Sequence, residues 1–174
     1  MLIRKANCEK DVIAAAEIYE EIHTEEEAGR VTTGWLRGVY PTAEDARSSL
    51  EKGELFVMLE GNEIVASARI NKEQVDVYAD AKWSVDAPDD EVMVLHTLTV
   101  SPRHARKGCA KRFLRFYEAY ALQNGCRYLR IDTNERNATA RAMYKKQGYT
   151  EVGAVPCVFN GIRGVNLVCL EKTL

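Results

Sequence analysis

The chain has 174 residues, a formal net charge of −2, 46% hydrophobic and 29% charged residues, and a pI near 6.0. These totals fit one domain, residues 1–174, with enough chain for a real core. They argue against a dedicated nucleic-acid binder, which would usually be basic throughout, and no segment approaches the ~20 apolar residues needed to span a membrane.

The first element is a short strand, "LIRKA". Apolar Val12, Ile13, Ala16, Tyr19 and Ile22 then recur at helical spacing between Asp11 and Thr24. "EEEAGRVTTGWLRGVYPT" holds three glycines and a proline beside Trp35 and Tyr40, and reads as a loop or broken helix. "TAEDARSSLEKG" opens with a capping box, Thr42 and Asp45, and stops at Gly53. "ELFVMLEGNEIVASARI" is a hairpin around a Gly61–Asn62 turn. Residues 72–90 are polar and carry no clear period. "EVMVLHTLTV" is a strand running into Pro102. A helix is expected from about Arg106 to Gln123, with Ala110, Phe113, Leu114, Tyr117 and Ala121 on one face, stopped by Gly125. "CRYLRIDT" is a strand and "NATARAMYKKQ" a short helix closed by Gly148. Two final strands, "YTEVGAVPCVF" and "GVNLVCLEK", meet at "NGIRG". The order is β-α-α-β-β-β-α-β-α-β-β, a mixed α/β domain.

Cys8, Cys109, Cys126, Cys157 and Cys169 are odd in number and lack CxxC spacing, and with three histidines no zinc pattern emerges. Free thiols in a cytoplasmic protein are expected, with no bound metal. "MLIRKANCEK" lacks the apolar run of a signal peptide.

The most informative stretch is "VSPRHARKGCAKRFLRFY". It gathers Arg103, Arg106, Lys107, Lys111, Arg112 and Arg115 without one Asp or Glu, in an acidic chain. The first N–H groups of a helix have no partners within it, so a helix start is an anion site. Cations placed there oppose the helix dipole and cost stability, which makes sense if an anion sits among them. Gly108 lets backbone approach that ligand closely, between small Ala105 and Ala110. Neither GxxxxGK[ST] nor GxGxxG is present.

In these residues the chain resembles the GNAT superfamily of acyl-CoA-dependent N-acyltransferases. The family's strand ends in Val-x-Pro and is followed by [Gln/Arg]-x-x-Gly-x-[Gly/Ala]; here these are Val100, Pro102 and Ala105-Arg106-Lys107-Gly108-Cys109-Ala110. Ala105 departs from the usual Gln or Arg, which implies weaker phosphate contacts. A second motif matches at Asn137, Ala140, Met143, Tyr144, Lys146, Gly148 and Tyr149. The resemblance implies a mixed central sheet of about seven strands with about four helices, acetyl-CoA as cosubstrate, and two parallel strands, 91–100 and 127–132, that splay around the thioester. It implies a cosubstrate site at Leu98, Thr99, Val100, Arg103 and residues 105–110, with Asn137, Ala140, Tyr144 and Lys146. Leu98 would offer its backbone N–H to the oxyanion, and the Tyr144 hydroxyl would protonate the departing thiolate. Many family members are dimers.

The acceptor is expected to be a primary amine of a small molecule, peptide or protein, not a nucleic acid or a membrane. Trp35, Tyr40, Trp83 and Phe159 are the expected pocket aromatics. Asp76, Asp80, Asp86, Asp89 and Asp90 form an acidic loop before the strand. Strand alternation places His96 on one face with Leu98 and Val100, and its ~6.5 reference pKa suits a base. An Asn137 N-cap and a structural His96 stand beside those functional readings. Glu91, or water, is the other candidate base. The alternative to an enzyme is a non-catalytic acyl-CoA-binding module of the same fold.

Overall fold

A computed structural model describes residues 1–174. In chain order the elements are β1 (Leu2–Lys5), α1 (Glu9–Glu27), α2 (Ala43–Glu51), β2 (Leu55–Glu60), β3 (Glu63–Asn71), β4 (Val92–Val100), α3 (Cys109–Gln123), β5 (Tyr128–Asn134), α4 (Ala138–Lys146), β6 (Thr150–Phe159) and β7 (Ile162–Thr173). The expected order and the counts of seven strands and four helices hold. The strands form one sheet in the order β1-β2-β3-β4-β5-β7-β6. Every neighbouring pair is antiparallel except β4 and β5.

Local chemistry sets the boundaries. Thr42 and Asp45 close the capping box of α2, with the Thr42 N–H 2.7 Å from the Asp45 carboxylate and the Asp45 N–H 3.4 Å from the Thr42 hydroxyl. Such a cap stabilises a helix by about 1 kcal/mol. Gly61–Asn62 joins β2 to β3. The last hairpin turns on Asn160–Gly161 alone, shorter than the expected "NGIRG", because both residues take left-handed φ, +48° and +80°. α3 starts at Cys109, three residues later than expected, since Arg106 (φ +62°) and Gly108 (φ +80°) also leave the helical region. Arg106 and Lys107 therefore belong to the turn before the helix.

Three apolar clusters position the rest. α3 lays Phe113, Leu114 and Tyr117 over Phe56, Leu95, Leu129 and Ile131. On the opposite face α1 and α2 pack Val12, Ala15, Tyr19 and Ala46 on Leu55 and Val57. Each large side chain buried this way contributes roughly 1.5–3 kcal/mol. The third cluster explains residues 72–90. This segment makes two short 3₁₀ turns, Asp76–Asp80 and Asp89–Glu91. It inserts Tyr78 against Val92, Val94, Val165, Leu167 and Cys169.

Candidate active site

β4 and β5 are paired only from Val92–Tyr128 to Leu95–Ile131. Beyond that point each is held on its outer side alone. β3 stays paired with β4 up to Val100, and β7 pairs with every residue of β5 from Tyr128 to Asn134. The Tyr117 hydroxyl sits at the seam, 2.6 Å from the Met93 carbonyl and 3.2 Å from that of Arg130. Past the seam the strands open on a cavity of about 230 Å³. Leu98, Thr99 and Val100 line it from β4, Asp132 to Asn134 from β5, and Asn137, Ala140 and Tyr144 from the α4 side.

Where β4 ends, the Ser101 hydroxyl donates to Glu21 at 2.7 Å and fixes the turn to α1. Four of the six cations in the turn and helix, Arg106, Lys111, Arg112 and Arg115, have no carboxylate partner. Arg103 is held by Glu21 at 2.8 Å and Glu63 at 3.6 Å, and Lys107 lies 3.9 Å from Glu60. Gly108 is the N-cap of α3 and provides no side-chain cap. A Cβ built on it meets nothing within 4 Å, so there is open space above it. Ala105 ends the short 3₁₀ turn Pro102–His104, and Ala110 lies in the first turn of α3. Cys109 is buried, its thiol 3.8 Å from the His104 carbonyl. Free N–H groups, uncompensated cations and open space over a glycine fit a phosphate-bearing ligand.

Asn137 caps α4, its Oδ1 accepting from the Ala140 N–H at 3.1 Å. Lys146 is exposed at the far end of that helix, outside the cavity lining. Tyr144 is 6% exposed, and no protein group hydrogen-bonds its hydroxyl. Burial, followed by the Asp132 charge, raises that hydroxyl's pKa well above its usual value, so it holds its proton.

The opposite wall is aromatic. Trp35 meets Tyr40 edge-on at 6.1 Å, and Tyr40 meets Phe159 at 6.3 Å. The Tyr40 hydroxyl pairs with that of Thr97. Trp83, expected here, stands elsewhere. It packs on Tyr78 at 5.1 Å, donates from Nε1 to the Tyr78 carbonyl at 2.8 Å, and carries the Arg130 guanidinium 4.2 Å above its ring. The reason is that residues 72–90 reach the cavity through Val75 and otherwise cover the sheet.

His96 also differs from expectation. Thr97 takes φ +51°, and the β3–β4 register shifts there, pairing Arg69 with His96 but Ser67 with Thr99. One extra residue reverses the alternation. His96 therefore shares a face with Thr99, opposite Val100. The Thr99 hydroxyl is engaged with Ser67 at 2.8 Å. His96 Nε2 lies 2.9 Å from Asn71 Oδ1 and so donates to it. Burial, then the nearby Arg69 charge, lowers the His96 pKa to about 4. His96→Gln is expected to retain the wild-type pH–rate profile between about pH 5 and 8. Loss of a titrating group in that interval would return His96 to the role of base. Glu91 lies in a 3₁₀ turn outside the cavity.

One residue escaped the reading of the sequence. Asp132 is half-buried in the cavity wall, with Oδ2 accepting from the Tyr78 hydroxyl at 2.7 Å. No cation pairs with it, and burial raises its pKa to about 6. The available signal was an acid inside the strand "YLRIDTN", just after the apolar Leu129 and Ile131.

Known proteins agree with this geometry. The model of the acetyltransferase (GNAT) family matches residues 12–149. The uncharacterized N-acetyltransferase YhfO of Bacillus subtilis strain 168 is 37% identical over 60 residues, 34% of this chain and 40% of that protein, so the match spans well under half of the relative's length. A GNAT family acetyltransferase from Streptococcus agalactiae superposes with a TM-score of 0.79 at 23% identity, covering 99% of this chain and 95% of the other. YncA from Salmonella typhimurium, solved with its cofactor acetyl-CoA, superposes at 0.72 with 18% identity over 100% and 94%. Sheet, splayed strands, basic turn and family match converge: this chain is a member of the GNAT family of acetyltransferases.

Proposed function

We infer that the protein transfers an acetyl group from acetyl-CoA to a primary amine by direct attack in a ternary complex. The observation that carries this reading is one cavity holding a partnerless tyrosine hydroxyl, Tyr144, and a cation-free carboxylate, Asp132, where β4 and β5 part. The start of α3 with Arg106, Lys107 and Gly108 would hold the diphosphate, and the unpaired edge of β4 would hold the pantetheine arm. The bound cosubstrate supplies an activated acyl group as a thioester.

The protein's own groups then move protons. An N–C bond forms as the C–S bond breaks. The amine arrives as an ammonium and ends as a neutral amide, so its nitrogen loses two protons. Asp132 accepts the first and passes it to solvent. The second balances the proton that Tyr144 gives to the sulfur. An alkylammonium with a pKa near ~10.4 lies about four units above Asp132 and six above His96. Burial lowers an ammonium by up to roughly 3–5 units. That narrows the gap to Asp132, against the mutual attraction of carboxylate and ammonium, and leaves His96 further short.

Thiol release with acetyl-CoA and a panel of primary amines tests this reading. Binding of acetyl-CoA without release to any amine would make the protein an acyl-CoA-binding module instead. kcat/KM is expected to rise with pH through about 6 as Asp132 ionises, and Asp132→Asn is expected to remove that limb. The groups facing Asp132 are Tyr78, Tyr40, Tyr144, Cys157 and Cys169, none of them a cation. Arg130, two residues away on the same strand, bonds to Gln74 and lies over Trp83.

The same shift has a stability consequence. The folded pKa lies above the unfolded one, so the native state binds the extra proton between about 3.8 and 6. Stability falls as pH rises through that window and stays lower above it. Asp132→Asn is thus expected to be more stable than wild type at pH 8 by about 3 kcal/mol, a difference that vanishes below pH 4. Denaturant melts at the two pH values check the sign. All five cysteines are free thiols, which supports the cytoplasm as the proposed compartment.

A further inference from the structure

We propose that the acceptor is a compact primary amine carrying no carboxylate or phosphate, its ammonium seated against Asp132 and its carbon skeleton against Trp35, Tyr40 and Phe159. The proposal rests on the acetyltransferase reading above and narrows it.

The charges that line the cavity decide the point. They belong to Asp45, Arg69, His96 and Asp132. Arg69 is the cation that could receive an anionic substrate group, and it is already held. Its Nε donates to Glu54 at 2.7 Å, and its other arm pairs with Glu73. Turning it toward a substrate carboxylate would strand both glutamates. Asp45 closes the capping box of α2 through Oδ2, which accepts from both the Thr42 N–H and hydroxyl. His96 donates to Asn71 and is neutral above its lowered pKa of about 4. That leaves Asp132, whose Oδ1 has no partner in the protein. Asp45 Oδ1 is likewise unpartnered, so the unneutralised charge facing the cavity is negative throughout and no free cation faces it.

A substrate carboxylate would lie beside Asp132. One like charge at about 4 Å and an effective dielectric constant of about 20 corresponds to roughly 10³-fold in affinity. The rest of the lining sets hydroxyls and amides, Ser48, Thr133 and Asn160 among them, beside an apolar wall. Val75, Ile162, Val165 and Leu167 line the cavity with the three aromatic rings, whose faces also attract an ammonium.

The size argues the same way. About 230 Å³ lies below the ~300–1,000 Å³ of pockets that take drug-sized ligands. The loop between α1 and α2 is tied down as a roof. The Glu26 carboxylate accepts from the Thr33 N–H at 2.6 Å and the Gly34 N–H at 3.1 Å, and the Thr32 hydroxyl donates to the Arg136 carbonyl at 2.8 Å.

The test is a set of matched acceptors: 2-phenylethylamine, phenylalanine and phenylalaninamide, then isopentylamine, leucine and leucinamide. Each acid adds a carboxylate to the amine, and each amide keeps the added bulk while removing the charge. kcat/KM for the amine is expected to exceed that of the amino acid by at least about 10²-fold, with the amide recovering most of the loss. An amino acid as good as its amine, or an amide as poor as its acid, overturns the proposal. So does a peptide N-terminus that outperforms every small amine, and the acetyltransferase reading then survives. If acetyl-CoA binds and no acceptor is acetylated, that reading itself fails and the proposal with it. Phe159→Ala is expected to raise KM for 2-phenylethylamine about tenfold or more and to leave KM for acetyl-CoA within twofold. An unchanged KM for the amine would remove Phe159 from the acceptor wall.

Discussion

Tyr144→Phe is expected to lower the turnover rate at saturating substrates by about 10²–10⁴-fold. The substitution removes one oxygen. The ring keeps its place against Tyr149, with centroids 6.1 Å apart, and its place in the main core. No protein group loses a hydrogen bond, because none reaches that hydroxyl. The fold should therefore be unmoved and the effect confined to chemistry. A thiolate leaving without a proton leaves at a thiol's pKa of ~8.5, in a cavity already holding a carboxylate. KM for both substrates should change little, since a proton given only as the bond breaks is felt in the transition state alone. A folded variant with the wild-type rate would remove Tyr144 from the mechanism.

Gly108→Asp is expected to weaken acetyl-CoA binding by about 10²–10³-fold, measured by calorimetry. A left-handed φ of +80° strains any side chain, by roughly 1 kcal/mol. Aspartate is among the few non-glycine residues that adopt this conformation at modest cost. The new Cβ meets no atom within 4 Å, so the variant should fold normally. Its carboxylate would then occupy the place of the diphosphate, filling the anion site with the protein's own charge. Unchanged affinity in the folded variant would move the cosubstrate elsewhere.

Chemistry that depends on spacing was legible in the sequence. The Gly61–Asn62 turn, the capping box at Thr42 and Asp45, the basic turn at 103–108 and the Asn137–Tyr149 motif are each local arrangements, and the structure realises them. Features set by contacts across the chain were not. Polar residues 72–90 have no period because they form two short turns, and Tyr78 reaches Asp132 across 54 positions. Trp83 looked like a pocket aromatic because composition cannot tell which surface a loop covers. His96 was placed on the wrong face because alternation assumes an unbroken strand. The φ of +51° at Thr97 comes from the register with β3, which threonine itself does not announce. Asp132 looked like an ordinary polar position until the gap beside it and Tyr78 above it were known.

The splay of β4 from β5 also divides labour within the sheet. Both strands that frame the gap are secured from behind, β4 by β3 up to Val100 and β5 by β7 along its whole length. The edges that meet substrate are therefore stiff without touching each other. Dipoles fixed before the substrate arrives need no rearrangement during the reaction. The width of the slot is consequently set by β3 and β7, which also bring Arg69, Ile162, Val165 and Leu167 to the cavity wall. Adjusting the enzyme to a bulkier acyl chain is then a matter of repacking those outer strands, with Tyr144 and Asp132 left as they stand.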